Sequence, residues 1–205
     1  MLLGDIGETA TRARVGDLRD VNMRLFHPIK FMLATPAADL TDVARTMPEE
    51  FLVEDKFDGI RAQAHVESGR VAIYSRTMDE ITHRFPELVQ PLRSLPADVI
   101  IDGEIVPANG EVILPFSELQ KRLGRKNVGV QLLKAVPVVL VAYDLLYAGG
   151  KVLIDQPLSE RRHLLRDVVP DGGPLRMSQG KLVVDAAMLD EEFELARARG
   201  NEGLM

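Results

Sequence analysis

The chain has no cysteine among its 205 residues. Disulfides, thiol nucleophiles and cysteine metal sites are therefore excluded, which fits a reducing compartment. The first ten residues, MLLGDIGETA, reach an acidic residue at the fifth position without a basic start or apolar run, unlike a signal peptide. No stretch approaches the roughly 18 consecutive apolar residues of a spanning helix. The expectation is a cytoplasmic protein with no membrane partner. Also missing are the glycine-rich cradles GxxxxGK[ST] and GxGxxG, so any nucleotide would be held by side chains. There is no internal repeat and no low-complexity segment. The formal net charge of −6 argues against a surface that grips nucleic acid throughout.

What is present is ordinary for a globular protein, 46% apolar and 27% charged, and enough for one substantial core. Two local basic runs stand out, KRLGRK (121–126) and SERRHLLR (159–166). Each reads either as a nucleic-acid patch or as a solvated helix face. Residues 1–30 mix charges and small residues with little periodicity, and read as a helical tail and linker before a main domain at 31–205. Beyond Phe31, DLTDVARTM begins like a helix and EFLVEDKF reads as a strand. IRAQAHV and RVAIYSR are two strands joined by ESG, a hairpin signal. RFPELVQPLRSL is helical, with Pro91 expected to end or kink it. DVIIDGEIV is a strand with a tight turn at Asn109-Gly110, and PFSELQKRLG a helix. VPVVLVAYDLLY is too apolar to alternate and reads as a long buried strand. PLSERRHLLRDVV and DAAMLDEEFELARARG are helices. Strands at hairpin spacing, interrupted by helices without βαβ alternation, predict an α+β domain of antiparallel sheets flanked by helices.

Alternate residues of a strand share a face. Through LVEDKFD, this groups Glu54, Lys56 and Asp58 with Leu52, and places Asp55 among Phe51, Val53 and Phe57. In VIIDGEIV it groups Asp102 with Glu104, opposite Ile101, Gly103 and Ile105. Clustered charge on otherwise apolar strands is costly unless paired or metal-bound. With Arg61 and Arg76 on neighbouring strands, the pattern predicts a polar pocket. An amine attacks only after losing its proton, and flanking carboxylates oppose that loss. Lys56 is therefore useful as a nucleophile only if a metal ion and a nucleotide offset Glu54 and Asp58.

KFDGIR (56–61) matches the KxDGxR signature of covalent nucleotidyltransferases: DNA ligases, RNA ligases and capping enzymes. SRT (75–77), DGEIV (102–106), VAYDLLY (141–147) and EGLM (202–205) resemble the family's later motifs, in the family's order. The resemblance covers about residues 31–205. EDKFDGIRAQ, YDLLY and PLSERRHLLR make it most similar to an ATP-dependent DNA ligase, with LLGDIGETA resembling the end of an upstream helical DNA-binding domain. The resemblance implies a nucleotidyltransferase (adenylation) fold, described as ATP-grasp-like, with ATP and Mg2+ (or Mn2+) as cofactors and nicked double-stranded DNA as partner. It implies that Lys56 attacks the α-phosphate to form a lysine–AMP phosphoramidate. Glu54 would read the adenine amino group, and Arg61 and Arg76 would contact ribose and phosphates. Tyr143 would stack on adenine. Glu104 would hold ribose or metal, and Glu202 would complete the metal site.

In the family a lysine-bearing fifth motif and an OB-fold domain follow EGLM. The expectation is thus an adenylation-domain fragment impaired in self-adenylylation and unable to seal nicks unaided. The alternatives are an RNA ligase or capping-type enzyme, and a non-catalytic nucleotide- or DNA-binding fragment. His27, His65, His83 and His163 have no partner at ligand spacing and are assigned no chemistry.

Overall fold

The computed structural model describes residues 4–18, 22–123, 125, 128–170 and 172–205. Helix α1 (Ile6–Arg14) is capped by the Asp5 carboxylate, which accepts from the Glu8 N–H at 2.9 Å. Then come α2 (Leu40–Thr46), strands β1 (Phe51–Lys56), β2 (Ile60–Glu67) and β3 (Arg70–Ser75), and helix α3 (Pro86–Arg93). β4 (Val99–Asn109) and β5 (Val112–Ile113) are followed by α4 (Phe116–Gln120), α5 (Val130–Ala135), β6 (Val138–Ala148) and β7 (Lys151–Val152). The chain continues through α6 (Leu158–Val168), β8 (Leu175–Met177), β9 (Gly180–Val183), α7 (Leu189–Ala198) and β10 (Gly203–Leu204).

Among the described residues these strands form two sheets. The larger has the order β3-β2-β4-β6-β7, with β5 beside β4 and β8 beside β6; the smaller is β10-β1-β9. This is the expected α+β arrangement. All pairings are antiparallel except β6 with β8.

Alternation dictates where the core lies. Val99, Ile101 and Ile105 of β4 pack with Phe85, Leu88, Leu92, Leu119 and Leu165 from the helical side. The other face carries Ile100, Asp102, Glu104 and Val106. Ile100 packs with Leu146 under Met23, Leu25 and Ile29, so the segment before residue 31 is seated on the sheet. Polar side chains fasten it there. Gln63 accepts from Ile29 N–H at 3.1 Å and donates to its carbonyl at 3.0 Å, while buried His65 Nδ1 accepts from Phe26 N–H at 2.9 Å.

The β2–β3 hairpin turns through Ser68 and Gly69, both at positive φ. The turn at Asn109 is shifted by one: Asn109 pairs with Val112, leaving Gly110 and Glu111 as the loop. α3 runs through Pro91, which has no N–H to give the Glu87 carbonyl, and ends two residues later. The expected helix end at Gly124 lies outside the described residues, as does Lys126 of the first basic run. Among the described residues, no helix is long and apolar enough to cross a membrane.

Candidate active site

A cleft of about 630 Å³ opens between β1 and β10 of the small sheet and the polar face of the large one. Glu54, Lys56, Arg61, Arg76, Glu104, Tyr143 and Glu202 all line it, so every candidate site residue comes to one place. Met32, Leu33 and Ala34 supply an apolar wall.

Lys56 ends β1 and forms an ion pair with Glu202 across the β1–β10 ladder. The backbone sets this meeting, because Lys56 pairs with Gly203 and the Glu202 N–H donates to the Lys56 carbonyl at 2.8 Å. After Lys56 the chain must turn closely past β4. A Cβ on Gly59 would sit 2.4 Å from the Ile105 carbonyl oxygen and 2.9 Å from Glu104 Cγ, so glycine is required there.

That turn delivers Arg61 to the floor of the cleft. Its guanidinium grips Asp102 through two bonds, Nε at 3.3 Å and Nη2 at 2.8 Å, and Nη1 donates to the Met32 carbonyl at 2.8 Å. The same group lies 4.8 Å from the Phe31 ring centre and 5.6 Å from that of Tyr143. Tyr143 owes its position to an irregularity. Gly103 pairs with Ala142 and Asp102 with Asp144, so Tyr143 is the extra residue of a β-bulge, a device that re-aims side chains. Its hydroxyl lies 3.2 Å from the Gly103 carbonyl and 3.4 Å from Glu104 Oε2.

Burial pushes the Glu104 carboxyl up to about 7; Arg61 pulls it down and Asp102 adds to the rise. The Tyr143 hydroxyl is also raised, by burial and then by Asp102 and Glu104. Near neutral pH Glu104 is therefore only partly ionised, with Arg61 as the cation already beside it. Arg76 is exposed at the cleft mouth, on a turn fastened by Ser75, Thr77 and Asp79, with the Thr77 hydroxyl 2.5 Å from Asp79 Oδ2.

Three cleft contacts were not foreseen from the sequence. Arg162 donates to Glu54 Oε1 at 2.5 Å and to the Ser178 carbonyl at 2.8 Å. Arg161 holds Asp144 through two bonds, at 2.7 and 2.9 Å. The cleft wall 32–34 is the third. The second basic run is therefore neither a solvated face nor a free patch at these two arginines. In the first run, Arg122 is buried and bonded to Glu87 and to the Val136 and Arg84 carbonyls. His65, which is assigned no chemistry, is buried beneath the segment before residue 31, where burial, with His27 adding, holds it down to about 3.

A family model described as "ATP dependent DNA ligase domain" matches residues 31–205. This chain belongs to the ATP dependent DNA ligase domain family. A probable DNA ligase of Koribacter versatilis is 44% identical over 229 residues, covering all of this chain and 39% of that protein. A DNA ligase of Thermococcus fumicolans is 33% identical over all of this chain and 38% of its own length. The chain thus spans about two fifths of these ligases. Among solved structures, mycobacterial DNA ligase D complexed with ATP and MES superposes with a TM-score of 0.58 at 26% identity, over 76% of this chain and 47% of that one. The antiparallel sheets and flanking helices are accordingly those of the ligase adenylation domain.

Proposed function

We propose that this segment is the adenylation core of an ATP-dependent DNA ligase, with Lys56 as its nucleophile. The observation that carries the reading is the convergence of Lys56, Arg61, Arg76, Glu104, Tyr143 and Glu202 on one cleft. Family membership supports it. Residues 31–205 are read as the adenylation domain and 1–30 as the tail of an upstream DNA-binding domain.

The residues fit an adenine nucleotide. Glu54 is an acceptor for the adenine amino group, and Tyr143 a flat ring beside it. Arg61 and Arg76 are cations for ribose and phosphates. Lys56 attacks the α-phosphorus, a phosphorus–oxygen bond breaks, and pyrophosphate leaves; the phosphoramidate that remains carries AMP to the 5′-phosphate of a nick. A 3′-hydroxyl then attacks that phosphate and releases AMP. Positioning and charge neutralisation do most of this work.

Before attack Lys56 must exchange Glu202 for the phosphates and lose a proton. Glu104 and Glu202 are the carboxylates proposed to meet a divalent cation such as Mg2+ or Mn2+, which would neutralise phosphate charge. Among the described residues no three carboxylates or histidines form a metal cluster, so most ligands would be phosphate oxygens and water.

The test uses the full-length chain with nicked DNA, nicked RNA, and ATP or GTP. Sealing of nicked DNA with ATP supports the reading. Preference for GTP indicates a capping-type enzyme, preference for nicked RNA an RNA ligase, and nucleotide binding without transfer a non-catalytic module.

A further inference from the structure

Asp55 is the one charged residue at the alternate positions of β1, with Phe51 and Val53, and strand alternation sets its side chain opposite those of Glu54 and Lys56. It accepts three hydrogen bonds from a single stretch of chain. Arg199 reaches it with Nε at 2.8 Å and Nη2 at 2.5 Å, and Asn201 Nδ2 with a third bond at 2.8 Å. Asn201 is only 3% exposed, and its own N–H is tied to the Ala196 carbonyl at 3.1 Å. Gly200, at φ +88°, supplies the left-handed residue that ends α7, and Arg197 bonds the carbonyls of Asn201 and Glu202 at 3.1 and 3.3 Å. The turn from α7 into β10 is thus fastened to the back of β1.

This fastening matters because β10 is only two residues long. Its ladder with β1 has few bonds, those of Glu54 with Met205 and of Glu202 with Lys56, each 2.8 Å. A short pairing specifies its register weakly, and a slip of one residue turns every side chain to the opposite face. Such a slip would take Glu202 away from Lys56. Gly203 is closely approached by the Phe193 ring, which would lie 2.8 Å from a Cβ at that position, so the turn tolerates only glycine there.

We propose that Asp55 is a positioning residue for adenylylation: by clamping Arg199 and Asn201 it fixes the register that keeps Glu202 in the cleft with Lys56 instead of turned to the opposite face. This rests on the reading of Lys56 as the nucleophile. Asp55 itself needs no contact with ATP, so its loss acts on the chemical step more than on binding.

The test measures lysine–AMP formation at saturating ATP, and the ATP dissociation constant, in the full chain. Wild type is compared with Asp55→Ala, Arg199→Leu, Arg199→Lys and Lys56→Ala. Asp55→Ala and Arg199→Leu are each expected to slow adenylylation about tenfold or more with ATP affinity within about twofold, and Arg199→Lys to recover part of the rate. Arg199 is half exposed, so Arg199→Leu keeps the test valid if Asp55→Ala fails to fold. A folded Arg199→Leu with wild-type rate overturns the inference. So does a loss of rate matched by an equal loss of ATP binding. Failure of the underlying reading looks different: wild type is then unlabelled, or Lys56→Ala is labelled.

Discussion

Glu54 and Arg162 lie 108 positions apart in the chain and meet at 2.5 Å inside the cleft. Arg162 also bonds the Ser178 carbonyl, so one guanidinium joins β1, α6 and the segment entering β9. Both side chains are mostly out of solvent. Removing the arginine leaves a carboxylate and a carbonyl short of partners. Arg162→Met is expected to lower stability by about 2 kcal/mol, as for loss of charge-assisted bonds. It should also weaken ATP binding by about tenfold, because Glu54, proposed to accept from the adenine amino group, loses its orientation. Urea unfolding and calorimetric titration check the two effects, and Arg162→Lys should fall between.

Gly59 makes a sharper prediction. A methyl group there would overlap the Ile105 carbonyl and the Glu104 side chain. Gly59→Ala is expected to destabilise the protein by about 1–3 kcal/mol or more, as overpacking does. Because the displaced turn carries Lys56 and Arg61, adenylylation should fall further than stability explains. Comparing rate and unfolding midpoint of Gly59→Ala with those of Gly110→Ala separates the two effects. Gly110 has open space around it and serves as the control for a strained turn.

The alternation of β1 and β4 was readable in the sequence, because a strand's two-residue period is a local property. It placed Lys56 with Glu54 and Asp102 with Glu104 before any partner strand was known. The basic run around Arg161 and Arg162 was not readable in the same way. Helical spacing says which residues share a face, but Glu54 and Asp144, which receive these arginines, sit on β1 and β6. The bulge that turns Tyr143 is likewise a product of pairing with β4. Strands β8 and β9, at three and four residues, and helix α5 were too short to impose a period of their own. Residues 22–30 showed little periodicity because part of their fastening is polar, through Gln63, His65 and Tyr74.

His65 gives that fastening a pH dependence. Burial, with His27 adding, holds it down to about 3 against an ordinary 6.5. Between those values the unfolded chain binds a proton that the folded chain does not. The contribution of His65 therefore favours folding fully above pH 6.5 and is lost progressively as pH falls toward 3. At roughly 1.4 kcal/mol for each pH unit, the window amounts to about 4–5 kcal/mol. His65→Asn keeps an acceptor for the Phe26 N–H but does not titrate. Urea unfolding from pH 8 to pH 4 should show wild type losing stability relative to His65→Asn below pH 6.5. A constant difference across that range would contradict the assignment.

Lys56 Nζ is proposed as the atom to which AMP becomes attached. The most direct measurement incubates the full chain with α-labelled ATP and a divalent metal, then maps the labelled peptide by mass spectrometry. The expected result is a single AMP adduct on Lys56, acid-labile as a phosphoramidate is, and no label in Lys56→Ala. Label on another residue, or label that survives in Lys56→Ala, would contradict the account.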